Sequence, residues 1–230
     1  MDERADHMRI DVGRDGPYYV SGGVPLERAE IATNAQGESV AWHRTEQLDA
    51  AEAYSLCRCG RSCTKPYCDL SHLDGFDGEE TAEHDTYFQT AQIVPGPAMD
   101  LLDARKLCAE ARFCDRAGGL WNLIERCDEP EIAALVDEEA ALCPSGRYTT
   151  TDHETREPHE PELEASIALV EDPKYGVAGP LWVQGGILVV AVDGDPYEVR
   201  NRVTLCRCGA SKNKPFCDGS HISAGFRDQD

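Results

Sequence analysis

Cys57-Arg58-Cys59-Gly60-Arg61-Ser62-Cys63-Thr64-Lys65-Pro66-Tyr67-Cys68-Asp69-Leu70-Ser71-His72 is repeated near the other end of the chain as Cys206-Arg207-Cys208-Gly209-Ala210-Ser211-Lys212-Asn213-Lys214-Pro215-Phe216-Cys217-Asp218-Gly219-Ser220-His221. Each copy reads C-x-C-x8-C-x3-H, so sixteen consecutive residues supply three thiolates and one imidazole. Soft sulfur with one borderline nitrogen suits zinc or an iron–sulfur cluster and suits calcium or magnesium poorly. Zinc knuckles commonly space their cysteines C-x2-4-C, whereas here one residue separates the first two and eight precede the third, which favours a cluster. A disulfide reading is weaker, because intracellular disulfides are rare.

The arrangement resembles the CDGSH iron–sulfur family, also called NEET proteins, with its pattern C-x-C-x2-[S/T]-x3-P-x-C-D-G-[S/A/T]-H. The second copy matches at every position. The first departs once, at Leu70, where the family has a glycine that supplies φ > 0 freedom. The resemblance implies two [2Fe-2S] clusters. Cys57 and Cys59 would hold one iron of the first, Cys68 and His72 the other. Cys206, Cys208, Cys217 and His221 would hold the second cluster likewise. It also implies intertwined pairing: single-copy members form homodimers, and two copies in one chain can satisfy that interface internally as a pseudo-two-fold monomer.

The repeat extends upstream of the ligands. Gly16-Pro17-Tyr18-Tyr19-Val20-Ser21-Gly22-Gly23-Val24 parallels Gly179-Pro180-Leu181-Trp182-Val183-Gln184-Gly185-Gly186-Ile187. The first copy has 14 more residues before its ligands, read as a longer loop at 34–53. Strand chemistry recurs at 8–12, 17–20, 39–43 and 54–56, then at 167–170, 181–183, 187–192 and 199–205, punctuated by Gly, Pro and Asp turns. After each third cysteine the Asp-x-Ser-His run predicts a short helix N-capped by Asp69 or Asp218, its dipole turned to the cluster. A unit of this size buries too little apolar surface to stand comfortably alone.

The expected fold is therefore α+β: a first cluster-binding unit at residues 1–82, a helical insert and linker at 83–164, and a second unit at 165–230. In the insert, helices are predicted at 98–117, 120–127 and 129–142 from the spacing of apolar residues. Asp128 and Glu131 form a capping-box-like start to the third, and Pro144-Ser145-Gly146 stops it. Residues 149–161 read as an exposed return linker. The insert cysteines Cys108, Cys114, Cys127 and Cys143 have spacings that match no familiar ferredoxin run, so they read as small hydrophobes, with a third metal or a redox disulfide as the alternative. Cys63 is off the ligand register and reads as a spectator. His7, His43, His84, His153 and His159 lack any partner pattern and are expected to face solvent.

The formal charge is -21, with 43 acidic against 22 basic groups. That leaves no basic patch for nucleic acid or an anionic membrane. A high-salt cytoplasm or a basic redox partner would each explain the acidity. With no apolar run of spanning length and no charged-then-apolar leader, a cytoplasmic protein is expected. No nucleophile triad, phosphate loop or nucleotide fingerprint appears, so no enzyme is expected. The functional expectation is electron transfer, cluster transfer to an apo-protein, or redox sensing. A zinc-stapled scaffold that binds a partner through its acidic face is the alternative.

Overall fold

In the computed structural model, which describes residues 7–153 and 155–228, the first copy contributes β1 (Arg9–Val12), β2 (Tyr18–Ser21), β3 (Leu26–Thr33), β4 (Ser39–Leu48) and β5 (Ala53–Leu56). The insert follows with α1 (Tyr87–Thr90), β6 (Gln92–Pro95), β7 (Met99–Asp103), α2 (Leu120–Leu123), α3 (Pro130–Leu142), β8 (Tyr148–Asp152) and β9 (Pro158–His159). The second copy supplies β10 (Ser166–Asp172), β11 (Val177–Gln184), β12 (Leu188–Val190), β13 (Arg202–Leu205) and the one-turn α4 (Ser220–Ser223). No helix among the described residues is long and apolar enough to cross a membrane.

Neither copy builds a sheet of its own. One sheet runs β12-β1-β2-β5 and another β13-β11-β10-β3-β4, so each copy donates its third strand to the other's sheet. β12 joins β1 in parallel from Arg9↔Leu188 to Asp11↔Val190, and β3 joins β10 in parallel from Ile167↔Leu26 to Glu171↔Glu30. The core beneath is shared: Ile10, Val20 and Leu56 of the first copy are buried in one cluster with Ile167, Val183 and Leu205 of the second. At ~25 cal/mol per Å² of apolar surface, either half alone would lose the stabilisation its side of that shared core supplies. Pseudo-two-fold pairing is thus built into the fold of this α+β chain.

Several expected elements change. Within the loop expected at 34–53, the strand expected at 39–43 runs on to Leu48, because β4 pairs with β3 and extends the five-stranded sheet. The helix expected at 98–117 begins instead as β7, which is buried along its whole length between β6 and β8. A strand covered on both faces shows no alternation, and its apolar run cannot be told from a helix by period. The exposed linker expected at 149–161 starts as β8, whose Thr149, Thr150 and Thr151 are all buried. β-branched threonines fit a pleated surface, and here they pair with β7. The insert is therefore a mixed unit with its own four-stranded sheet. α3 does form, but from N-cap Glu129 with no side-chain cap bond, so the Asp128–Glu131 box is absent.

The insert packs on the outer face of the five-stranded sheet. Phe113 meets Trp42 at 5.0 Å between ring centroids, Trp42 meets Trp182 at 4.6 Å, and Trp42 Nε1 donates to the Leu142 carbonyl at 3.0 Å. The shared core leads to one expectation: sedimentation at moderate salt will show a single-chain species. An obligate dimer exchanging strands between chains would overturn it.

Candidate metal centres

Both ligand loops are held in the same way. Cys57 N–H donates to the Pro66 carbonyl at 2.8 Å and Cys68 N–H to Ser55 at 2.9 Å; Cys206 and Cys217 repeat these bonds to Pro215 and Thr204, each at 2.8 Å. Ser62 and Ser211 hydroxyls each close their loop by donating to a carbonyl, of Tyr67 and Phe216, at 2.7 Å. Asp69 accepts Ser71 and Cys63 backbone N–H groups at 3.0 and 2.8 Å, and Asp218 accepts those of Ser220 and Lys212 at the same distances. The Ser71 hydroxyl, followed by the Cys63 N–H, holds the Asp69 carboxyl well below its ordinary range. The N-cap position itself falls one residue later than expected, on Leu70 and Gly219, both left-handed.

The donors fall into pairs. Cys57 and Cys59 sulfurs are 3.7 Å apart, and Cys68 Sγ lies 3.3 Å from His72 Nδ1. In the second site Cys206 and Cys208 are 3.6 Å apart, and Cys217 Sγ lies 3.5 Å from His221 Nδ1. Two ligands per iron on two irons is the demand of a [2Fe-2S] centre, whereas tetrahedral zinc draws four donors to one point. Backbone N–H groups also point at the sulfurs: Leu70 to Cys68 and Gly219 to Cys217 at 3.4 Å, Ala210 to Cys208 at 3.5 Å. Such donors favour thiolate over thiol. At the second site the Cys208 contact lowers the Cys206 thiol to about 6 against burial, while burial pushes Cys217 well up. Burial likewise pushes Cys57 up to about 11, so iron binding must displace protons.

The two loops meet. Cys59 and Cys208 form an antiparallel backbone bridge across the pseudo-two-fold axis. A Cβ at Gly60 would stand 2.6 Å from the Cys208 carbonyl oxygen, and one at Gly209 2.7 Å from that of Cys59, so only glycine fits either place. Tyr18 adds a cross-link the second copy lacks, donating to the Cys206 and Pro215 carbonyls at 2.8 and 3.0 Å.

Two residues that position the loops escaped the sequence reading, although each stands between the first two candidate ligands of its copy. Arg58 is fully buried, donates to the Gly13 and Gly78 carbonyls, and lies over Phe76. Arg207 donates to the Gly179 and Val170 carbonyls at 2.7 and 2.8 Å, pairs with Glu171 and Asp228 at 2.9 Å, and lies over Phe226. Each arginine bolts its ligand loop to the strands behind it. The repetition of one residue type inside both C-x-C triplets was the available signal.

The insert cysteines divide. Cys127 is buried in the insert core, its sulfur facing the Ala98 N–H and the Met99 carbonyl, and here the packing reading stands. Cys108, Cys114 and Cys143 instead line one small enclosure together with Glu110, Arg147 and Tyr148. Cys114 and Cys143 also pack against the insert core, as expected of small hydrophobes, and line the enclosure besides; Cys143 follows α3 and reaches the other two only through tertiary folding. Burial pushes the Cys114 thiol up to about 12, and neighbouring Cys143 adds to the effect. Cys63 is exposed, as are His7, His43, His84, His153 and His159.

Residues 15–73 and 178–222 match the family described as iron-binding zinc finger CDGSH type. The chain belongs to the CDGSH iron–sulfur family, in tandem form. Residues 94–153 match a second family, described as a divergent 4Fe-4S mono-cluster, and so cover the three converging cysteines. Both matches make this an iron–sulfur cluster-binding protein. No curated protein and no solved structure matches it.

Leu70 and Gly219 hold the same turn under different constraints. Leu70 has φ 74 and is 62% exposed, whereas a Cβ at Gly219 would come within 2.4 Å of Glu110 Cγ. A left-handed non-glycine residue costs roughly 1–2 kcal/mol, partly offset by glycine's greater unfolded-state entropy. Leu70→Gly should leave thermal stability unchanged or raise it by up to about 1 kcal/mol, while Gly219→Ala should lower it by about 2–4 kcal/mol. Equal effects in a thermal melt would count against this asymmetry. Arg207→Ala, which leaves buried Asp228 without that partner, should cost about 3–5 kcal/mol in the same measurement.

Proposed function

We propose that the protein is a multi-centre electron-transfer protein of the cytoplasm, carrying a [2Fe-2S] cluster on Cys57, Cys59, Cys68 and His72 and another on Cys206, Cys208, Cys217 and His221. A third cluster is held by Cys108, Cys114 and Cys143. The observation that carries the reading is the division of each Cys3His set into two close donor pairs. When bound, each cluster supplies one-electron chemistry. The chain's own residues set the terms. Imidazole in place of a fourth thiolate removes negative charge, and N–H groups aimed at sulfur do the same work, so both raise the potential.

The second site suits electron transfer more than release. Its His221 is 4% exposed, and burial, reinforced by the Arg207 cation, lowers the imidazole to about 4. A neutral ring is the liganding form, so protons compete weakly there. The first site is the open one: His72 is partly exposed, and Leu70 and Leu73 stand 62% and 75% exposed beside it. Hand-over of a cluster to an apo-protein belongs at this end, and the acidic surface suits a basic redox partner. The protein acts as carrier, without substrate turnover of its own, and as a monomer.

Iron and sulfide analysis should exceed the about four of each that two [2Fe-2S] clusters contribute. A colourless, zinc-loaded protein would restore the scaffold reading. As pH falls from 7 to 5, visible absorbance from the first site should decay several times faster than that from the second. His72→Cys should slow that decay and lower the first site's potential by on the order of 100 mV. Identical decay at both sites would sink the assignment of their roles.

A further inference from the structure

A four-iron cluster has four corners, and the insert brings only three thiols to its enclosure; Cys127 does not line it, its sulfur facing the Ala98 N–H and the Met99 carbonyl within the insert core. We propose that the Glu110 carboxylate is the fourth corner of the third site. The inference rests on the reading of that site as a cluster site. Glu110 lines the enclosure with the three cysteines, and its Oε1 lies 3.4 Å from Cys108 Sγ. The other nearby acid, Asp115, is 3.8 Å from Cys114 Sγ but does not line the enclosure.

The chain goes to some length to put Glu110 there. Its φ is 56 and that of Arg112 is 63, two left-handed non-glycine residues within one seven-residue loop. Such strain costs of order 1–3 kcal/mol per residue and persists only where surrounding structure imposes it. Opposite, Gly219 leaves the space that the Glu110 side chain fills, where a Cβ would clash with Glu110 Cγ at 2.4 Å. The equivalent turn in the first copy faces no such neighbour, and there leucine is accepted. Around the enclosure Arg147, which pairs with Asp103 at 2.6 Å, supplies a cation that offsets the thiolates.

A carboxylate binds iron less tightly than thiolate does, so the corner iron should be the labile one. Ferricyanide would take one electron from the four-iron centre as that corner releases a ferrous ion, leaving a three-iron cluster with its own near-isotropic paramagnetic signal. The oxidised [2Fe-2S] centres are silent in that measurement and their visible absorption reports that the protein is folded. Anaerobically purified full-length protein should show the signal only after ferricyanide. Glu110→Gln, which keeps the packing against Gly219, should show it without oxidant and contain one iron fewer per chain. Glu110→Cys should keep all four irons through the treatment, and Asp115→Asn should behave as the unaltered protein. Glu110→Gln indistinguishable from the unaltered protein in iron content and signal, or Glu110→Cys still losing iron, overturns the proposal. An unaltered protein with no iron beyond the two [2Fe-2S] centres overturns instead the reading of the third site, and this inference with it.

Discussion

The parallel ladders between β3 and β10 and between β12 and β1 are the constraint on which everything else hangs. β2 and β5, or β11 and β13, make a three-stranded meander with β1 or β10 whose remaining edge stays open until the other copy's strand closes it. Closing both edges at once brings Val24 and Leu26 into the same core as Ile187 and Val189. It also fixes where the ligand loops emerge, because each begins directly after the last strand of its meander. The backbone bridge between Cys59 and Cys208 follows from that exchange and is not an independent contact.

What could be read from the sequence was what is local. Eight candidate ligands lie within two sixteen-residue windows, and their loop geometry is set by bonds among near neighbours such as Asp69 to Ser71 and Ser62 to Tyr67. The meander strands carried turn signals at both ends and were legible too. β3 was missed because Glu27, Arg28 and Glu30 interrupt its apolar positions; Arg28 reaches Glu46 of β4, Glu171 of β10 and Asp228 near the end of the chain. β7 was missed for the opposite reason, being covered on both faces. The third set of cysteines was illegible because Cys143 is separated from Cys114 by α2 and α3 and joins it only when the insert folds.

The insert is more than a spacer between repeats. Phe113 and Leu142 cover the outer face of the five-stranded sheet, and Arg112 pairs with Asp172 at the end of β10, at 2.8 Å. Asn213, inside the second ligand loop, donates to the Lys106 carbonyl at 3.0 Å. The second site is thus clasped from two sides while the first projects freely, and the burial of His221 against the partial exposure of His72 is the result.

Strand exchange inside one polypeptide also alters what heredity can do with the molecule. In a pair of identical chains every substitution strikes both centres together, so neither can drift from the other without harming its twin. Here each centre has its own codons. Leucine in one turn and glycine in the other, a tyrosine hydroxyl bridging in one direction only, and a third unit seated beside one centre alone are differences open only to a fused pair. Joining the copies surrendered symmetry and, in exchange, left two copies of one site free to differ.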